Sequence, residues 1–164
     1  MMKRILVLGI ALCAISLAAF AQTSATANAT ANVNAALTIA NTAGLNFGNV
    51  AQGATVTITP LLAGAAAFTI SGAASAATTV SVTYPANLTF GANNLPFTAQ
   101  TPRYNNVANV QANGITGTWT AAGGSTTTSA GGNLWVWIGG SVTASASQAA
   151  GSYNGTITVS FTQP

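Results

Sequence analysis

The side chains that could take part in chemistry are three tyrosines (Tyr84, Tyr104 and Tyr153), one downstream arginine, Arg103, and the tryptophan pair Trp135 and Trp137. A phenol and a guanidinium titrate far from neutral pH, so neither serves there as a proton shuttle. The sequence contains no Asp, no Glu and no His. Paired carboxylates, Ser-His-Asp triads and His or carboxylate metal sites are therefore excluded. The one cysteine, Cys13, sits in an N-terminal apolar run, away from any partner that would activate it. No enzymatic activity, metal or cofactor is expected. What remains is aromatic stacking, neutral hydrogen bonding and the backbone itself.

Trp135 and Trp137 share one parity, and Leu134, Val136 and Ile138 share the other. If the chain keeps its phase through Gly139-Gly140, the second set continues into Val142, Ala144 and Ala146 and faces a core. The two indoles then sit together on the outer face, as a platform for a sugar ring or a neighbouring subunit. Packing in the core or at its rim is the competing reading. Thr55, Thr57 and Thr59 alternate as in flat threonine arrays that bind ice, although threonine also simply suits the wet face of a strand. Asn28, Asn87 and Asn154 each begin an Asn-x-Thr triplet, which a chain rich in both residues produces by chance. Arg103 reads as a solvated loop residue.

Strands must position these groups. Residues 1–21 come first and stand apart: Lys3 and Arg4, an apolar run from Ile5 to Ala18, then Ala19-Phe20-Ala21 before Gln22. That order is a cleaved secretory signal peptide, and the run is short for a membrane span. Cleavage removes two of the three basic residues and Cys13, leaving Arg103 as the one charged side chain. A single cation binds no nucleic acid. A secreted chain with almost no charge is either covered by partners or built to assemble.

From Ala25 to Ala40 the chain alternates without a slip. Ala25, Ala27, Ala29, Ala31, Val33, Ala35, Leu37 and Ile39 are on one side, with Thr and Asn dominating the other. Such a run would reach about 50 Å, far beyond an ordinary strand. It is read as two tasks: Leu37 and Ile39 anchor the first strand of the domain, and residues 22–34 form an extended arm. A disordered leader is the alternative, but it has no reason to keep strict alternation. Further strands follow at Leu45–Phe47, at Ala54–Thr59 before Pro60, around Phe68 and Ile70, and around Val80, Val82 and Tyr84. Leu88 and Phe90 mark another. Residues 91–114 read as a long connection with a short strand at Val107–Gln111, Ile115–Ala121 as a strand carrying Trp119, and Gly123–Gly132 as a flexible loop. Leu134–Ser147 reads as a strand pair, or one strand bent at Gly139-Gly140. The chain closes on Ile157, Val159 and Phe161, alternating with Thr156, Thr158, Ser160 and Thr162. No helical period of useful length follows the leader. The pattern predicts an all-β, immunoglobulin-like Greek-key β-sandwich of about eight to ten strands over residues 35–164, with an extended N-terminal strand.

Three stretches carry a resemblance: Leu45-Asn-Phe-Gly-Asn-Val50, Thr55-Val-Thr-Ile-Thr59 and Ala150-Gly-Ser-Tyr-Asn-Gly-Thr-Ile-Thr-Val-Ser-Phe161. Together they resemble the secreted bacterial family called domain of unknown function 4402, which is similar in turn to spore-coat-U-type and fimbrial subunits. The resemblance implies an immunoglobulin-like sandwich, export through the periplasm and a place in a cell-surface filament or coat. It implies as partners identical subunits, with an export chaperone or outer-membrane assembly protein in transit. It lends no site residues. Many chaperone-dependent pilins carry a disulfide, and this chain has no cysteine after residue 21. The expected mechanism is strand addition: the arm of one subunit, with Ala25, Ala27, Ala29, Ala31 and Val33 inward, pairs at the open edge formed by Ile157, Val159 and Phe161 of the next. The alternative is a self-complemented secreted module that binds a glycan or surface.

Overall fold

Alternation builds the strands, and what interrupts it decides where they turn. The structure is a computed structural model that describes residues 24–31, 33 and 35–164. The leader read over residues 1–21 lies outside the described residues, as do Gln22, Thr23, Asn32 and Asn34. The chain divides into two units, residues 1–33 and 34–164. In the first, the described residues belong to no strand and are exposed.

The second unit is an all-β sandwich. Its strands are β1 (Thr38–Ala43), β2 (Thr55–Ile58), β3 (Ala66–Ser71), β4 (Ala77–Thr83), β5 (Asn87–Phe90) and β6 (Asn93–Ala99). They continue with β7 (Arg103–Asn105), β8 (Ile115–Thr116), β9 (Gly124–Thr127), β10 (Asn133–Ile138), β11 (Gly140–Thr143) and β12 (Thr158–Thr162). Three antiparallel sheets result, ordered β1-β3-β10-β7-β8, β2-β11-β6-β5 and β12-β4-β9.

The first and third sheets enclose the larger core. Ile70 of β3, Val80 and Val82 of β4, and Leu134, Val136 and Ile138 of β10 are all buried there, and Val159 of β12 closes the layer. A smaller core of Leu95, Phe97, Val142 and Ala144 lies on the second sheet. Leu45, Tyr84 and Ile157 pack against both.

The strand number exceeds the eight to ten expected, because strands bend from one sheet into another. β10 pairs with β3 and β7, whereas β11, two residues on, pairs with β2 and β6. Gly139 is the hinge: a Cβ there would meet Pro60 at 2.8 Å, so only glycine lets the two chains approach this closely. Leu134, Val136 and Ile138 thus serve the large core, and Val142 and Ala144 the small one.

Four expected elements differ. The strand read at Leu45–Phe47 is irregular chain. The strand at Val107–Gln111 is a loop ending in a short 3-10 turn, Gln111–Asn113. The Asn105 carboxamide folds it, accepting from the Val107 and Ala108 N–H groups at 2.8 and 3.1 Å. The strand read over Ile115–Ala121 shrinks to β8, and Trp119 leaves it to plug the large core, stacked on Tyr104 at 4.9 Å. The flexible loop at Gly123–Gly132 holds β9, whose Ser125, Thr126 and Thr127 pair with Thr79, Thr78 and Ala77.

Candidate functional site

The expected sites fall in different settings. Ala25, Ala27, Ala29, Ala31 and Val33 of the arm are exposed and belong to no strand. At the C-terminal edge, Val159 is buried and Phe161 half-buried, and both pack into the large core. β12 bonds to β4 on one side only, so its other edge is free among the described strands. Ile157 lies one residue before β12 and bridges the two cores. At this edge, the groups left for a partner are therefore the β12 backbone, with the three side chains already packed inward.

The tryptophan platform is corrected. Trp137 is 5% exposed, and Trp135 is half-buried. Trp137 stands opposite Ala67 on β3 and Arg103 on β7, in the middle of the sheet. Parity does place the two indoles on the face away from Leu134 and Val136, but that face is not open at Trp137. Arg103 is likewise no solvated loop residue: it is half-buried in β7, and its Nη1 donates to the Gly114 carbonyl. The threonine face is also committed. Thr55 and Thr143 hydroxyls bond at 2.9 Å, and Thr57 donates to Ser141 at 3.0 Å.

The open site lies where sequence reasoning assigned an assembly role to Ile157 alone. Two irregular segments cross the smaller core. On one, Leu45, Phe47 and Val50 pack onto it, Phe47 meeting Phe97 edge-on at 6.2 Å. Gly48 at φ +64° turns this segment, and its N–H donates to the Asn46 carboxamide oxygen at 2.9 Å. On the other, Tyr153 and Ile157 pack down beside Leu88, and Tyr153 meets Phe90 at 5.8 Å. Between the segments is an open cleft of about 700 Å³. Its floor is Leu95, Phe97, Val142 and Ala144, and small residues such as Gly48, Ala150 and Gly151 form its lips.

Glutamines brace it. Gln52 Nε2 donates to the Gln148 carbonyl at 2.7 Å and so clasps one end. Gln148 Nε2 donates to the Tyr153 hydroxyl at 2.7 Å and to the Asn94 carbonyl at 3.1 Å. The Tyr153 hydroxyl donates onward to the Ala149 carbonyl at 2.8 Å. A bridge between Thr89 and Asn154 holds the second wall from behind. Farther along, past β12, Gln163 accepts from the Ala73 N–H and donates to the Thr78 hydroxyl, both at 2.8 Å. Among the described residues, no backbone hydrogen bond joins 45–50 to 150–157. These glutamines carried no sequence signal, because an isolated amide in a polar loop has none. The walls did carry one: they are two of the three stretches that bear the family resemblance.

Tyr84 lies beneath this region, stacked on Phe97 at 6.2 Å, with its hydroxyl buried and without a partner among the described residues. Burial pushes its pKa up to about 12. That shift keeps a phenol neutral and does no chemistry. Among the described residues, no cluster of metal-ligating side chains exists. The cleft's lining mixes apolar residues with uncharged amides and hydroxyls and holds no charged side chain.

A family model described as a domain of unknown function (DUF4402) matches residues 37–162, from just before β1 to the end of β12. No curated protein matches the chain.

Proposed function

Because the chain belongs to the domain of unknown function 4402 family, whose description supplies no activity, we propose from its chemistry that it is a secreted structural subunit of a cell-surface filament or coat. Identical copies assemble by β-strand addition alongside the C-terminal segment. The observation that carries this reading is the free edge of β12 in a domain whose surface offers almost no charge to defend it. Natural edges of this kind are shielded by charge, bulges or a covering element, and an uncovered one templates another strand. The arm at 22–34 alternates as a strand must and carries no charge. Export places the subunit in the periplasm in transit, where a chaperone or outer-membrane assembly protein would cover the edge. The open cleft favours a second reading, a self-complemented module that binds a neutral surface ligand.

Electron microscopy of the processed protein, beside a form lacking residues 22–33, tests the proposal. Filaments or sheets from the first and dispersed particles from the second are expected. Dispersed particles from both would remove it.

A further inference from the structure

We propose that Asn154-Gly155 is a self-modifying site, where the backbone nitrogen of Gly155 closes on the Asn154 side chain and turns a neutral amide on the cleft wall into the only side-chain acid of the chain. The sequence holds two Asn-Gly pairs, Asn113-Gly114 and Asn154-Gly155. Such a pair is prone to this chemistry because glycine has no side chain to shield its backbone nitrogen and rotates freely. The glycine nitrogen loses its proton and bonds to the asparagine Cγ. The Cγ–Nδ2 bond breaks, ammonia leaves and a succinimide ring is closed. Water then opens the ring at either carbonyl and gives aspartate or isoaspartate. No oxidant, metal or enzyme is needed.

Folding separates the two pairs. In Asn113-Gly114 the nitrogen is spent: Gly114 is buried, and its N–H donates to the Gln111 carbonyl at 3.0 Å. Its carbonyl also accepts from Arg103, so the residue is held on both sides. Asn154-Gly155 is the reverse. Both residues are exposed, and among the described residues the Gly155 N–H has no partner. The bridge to Thr89 uses the N–H and carbonyl of Asn154 itself, at 3.0 and 2.8 Å, and leaves its side chain and the next nitrogen outside. The carboxamide makes one long bond, Nδ2 donating to the Ser152 carbonyl at 3.3 Å. Closing the ring turns the Asn154 carbonyl away from Thr89. The folded chain is therefore expected to react more slowly than the unfolded one, but at this pair and not at the other.

The product weighs more here than in an ordinary protein. Arg103 is the one charged side chain after residue 21, so a single carboxylate cancels it. Isoaspartate also lengthens the main chain by a methylene where there is no room: a Cβ on Gly155 would meet Leu88 at 2.6 Å and Pro85 at 3.1 Å. Asn154 and Gly155 both line the cleft, and Ile157, two residues on, packs against both cores. Conversion thus places charge on the second wall and displaces its packing. Loss of ammonia makes the change one-way, so the wall carries its own limit on lifetime.

The test incubates the processed full-length chain, kept dilute in warm, mildly alkaline buffer, beside the same chain in urea. Peptides are mapped over time by mass spectrometry, with isoaspartyl methyltransferase labelling. In the folded chain, acid is expected at residue 154 well ahead of residue 113; in urea, both are expected to convert at similar rates. Asn154→Gln, whose longer side chain closes the ring poorly, is expected to remove the new acidic band on isoelectric focusing. A folded chain that converts residue 154 no faster than residue 113 would overturn the proposal, as would an acidic band that persists in Asn154→Gln. An equal preference for residue 154 in urea would overturn it too, because the difference would then lie in the local sequence and not in the fold.

Discussion

Tyr84 is a buried phenol that gains nothing from its hydroxyl, which has no hydrogen-bond partner among the described residues. Desolvation disfavours the phenolate, which is why its pKa rises to about 12. The sign of the consequence follows from linkage. The unfolded chain releases this proton near pH 10 and the folded chain nearer 12, so the stability Tyr84 contributes is complete below pH 10 and is lost between about 10 and 12. Tyr84→Phe keeps the ring stacked on Phe97 and removes the orphan oxygen. It is expected to leave stability unchanged or raise it by about 1 kcal/mol, and to flatten this part of the alkaline limb in denaturant melts recorded at pH 9, 10 and 11. A loss above about 2 kcal/mol would mean that the hydroxyl has a partner after all. Residue roles were the least legible part of the sequence. Parity assigned Trp135 and Trp137 to one face of β10, and it could not show that Trp137 sits in mid-sheet between β3 and β7. Whether a face is open depends on what the rest of the chain lays over it. Gln52, Gln148 and Gln163 act through partners 96, 54 and 85 residues away, separations at which no local pattern survives.

Elements were more legible. Period-two alternation marked β2, β4 and β12 because each has one face in a core and one in water, and it marked β3 through Phe68 and Ile70 although that strand lies inside its sheet. It failed where a side chain replaced a ladder: Asn105 folds its own loop, and Trp119 leaves the strand to fill space between sheets. Serine and threonine at β9 looked like a linker because composition outweighed their fitness for an edge strand. Leu45 and Phe47 read as a strand, but the first wall joins no sheet, and the second meets a strand only through the bridge from Asn154 to Thr89 of β5. Gln148 braces the second wall beside that bridge. Gln148→Ala removes its donations to Tyr153 and Asn94 and is expected to cost about 1–2 kcal/mol. That lowers the melting temperature by roughly 3–8 °C and speeds proteolytic nicking at residues 148–153. An unchanged melt and an unchanged nicking rate would show that apolar packing and the Thr89–Asn154 bridge hold the wall without Gln148.

At the scale of the whole molecule, the absence of acids and histidine governs behaviour more than any single contact does. In a form without residues 1–21, no Asp, Glu, His or Cys side chain is left to change protonation between about pH 3 and 9. Folded and unfolded chains then bind equal numbers of side-chain protons, and the slope of stability against pH is zero across that window. Salt has nothing to screen apart from Arg103, the C-terminal carboxylate and the N-terminal amine. The same poverty of charge leaves the free edges of β12 and β1 without the repulsion that keeps sheets apart. Folding and assembly are therefore expected to answer differently to solution conditions than in charged proteins. The unfolding midpoint should stay within about 2 °C from pH 4 to 8 and from low to high salt, measured by calorimetry on the arm-deleted form so that assembly does not contribute. Assembly by the full processed chain should be equally indifferent to pH and should strengthen with sulfate, which favours apolar burial. An acid-unfolding midpoint near pH 4 would contradict the first expectation. Filaments that dissolve in 1 M sodium chloride would contradict the second, because only an ionic contact weakens that way and the sequence has almost nothing from which to make one.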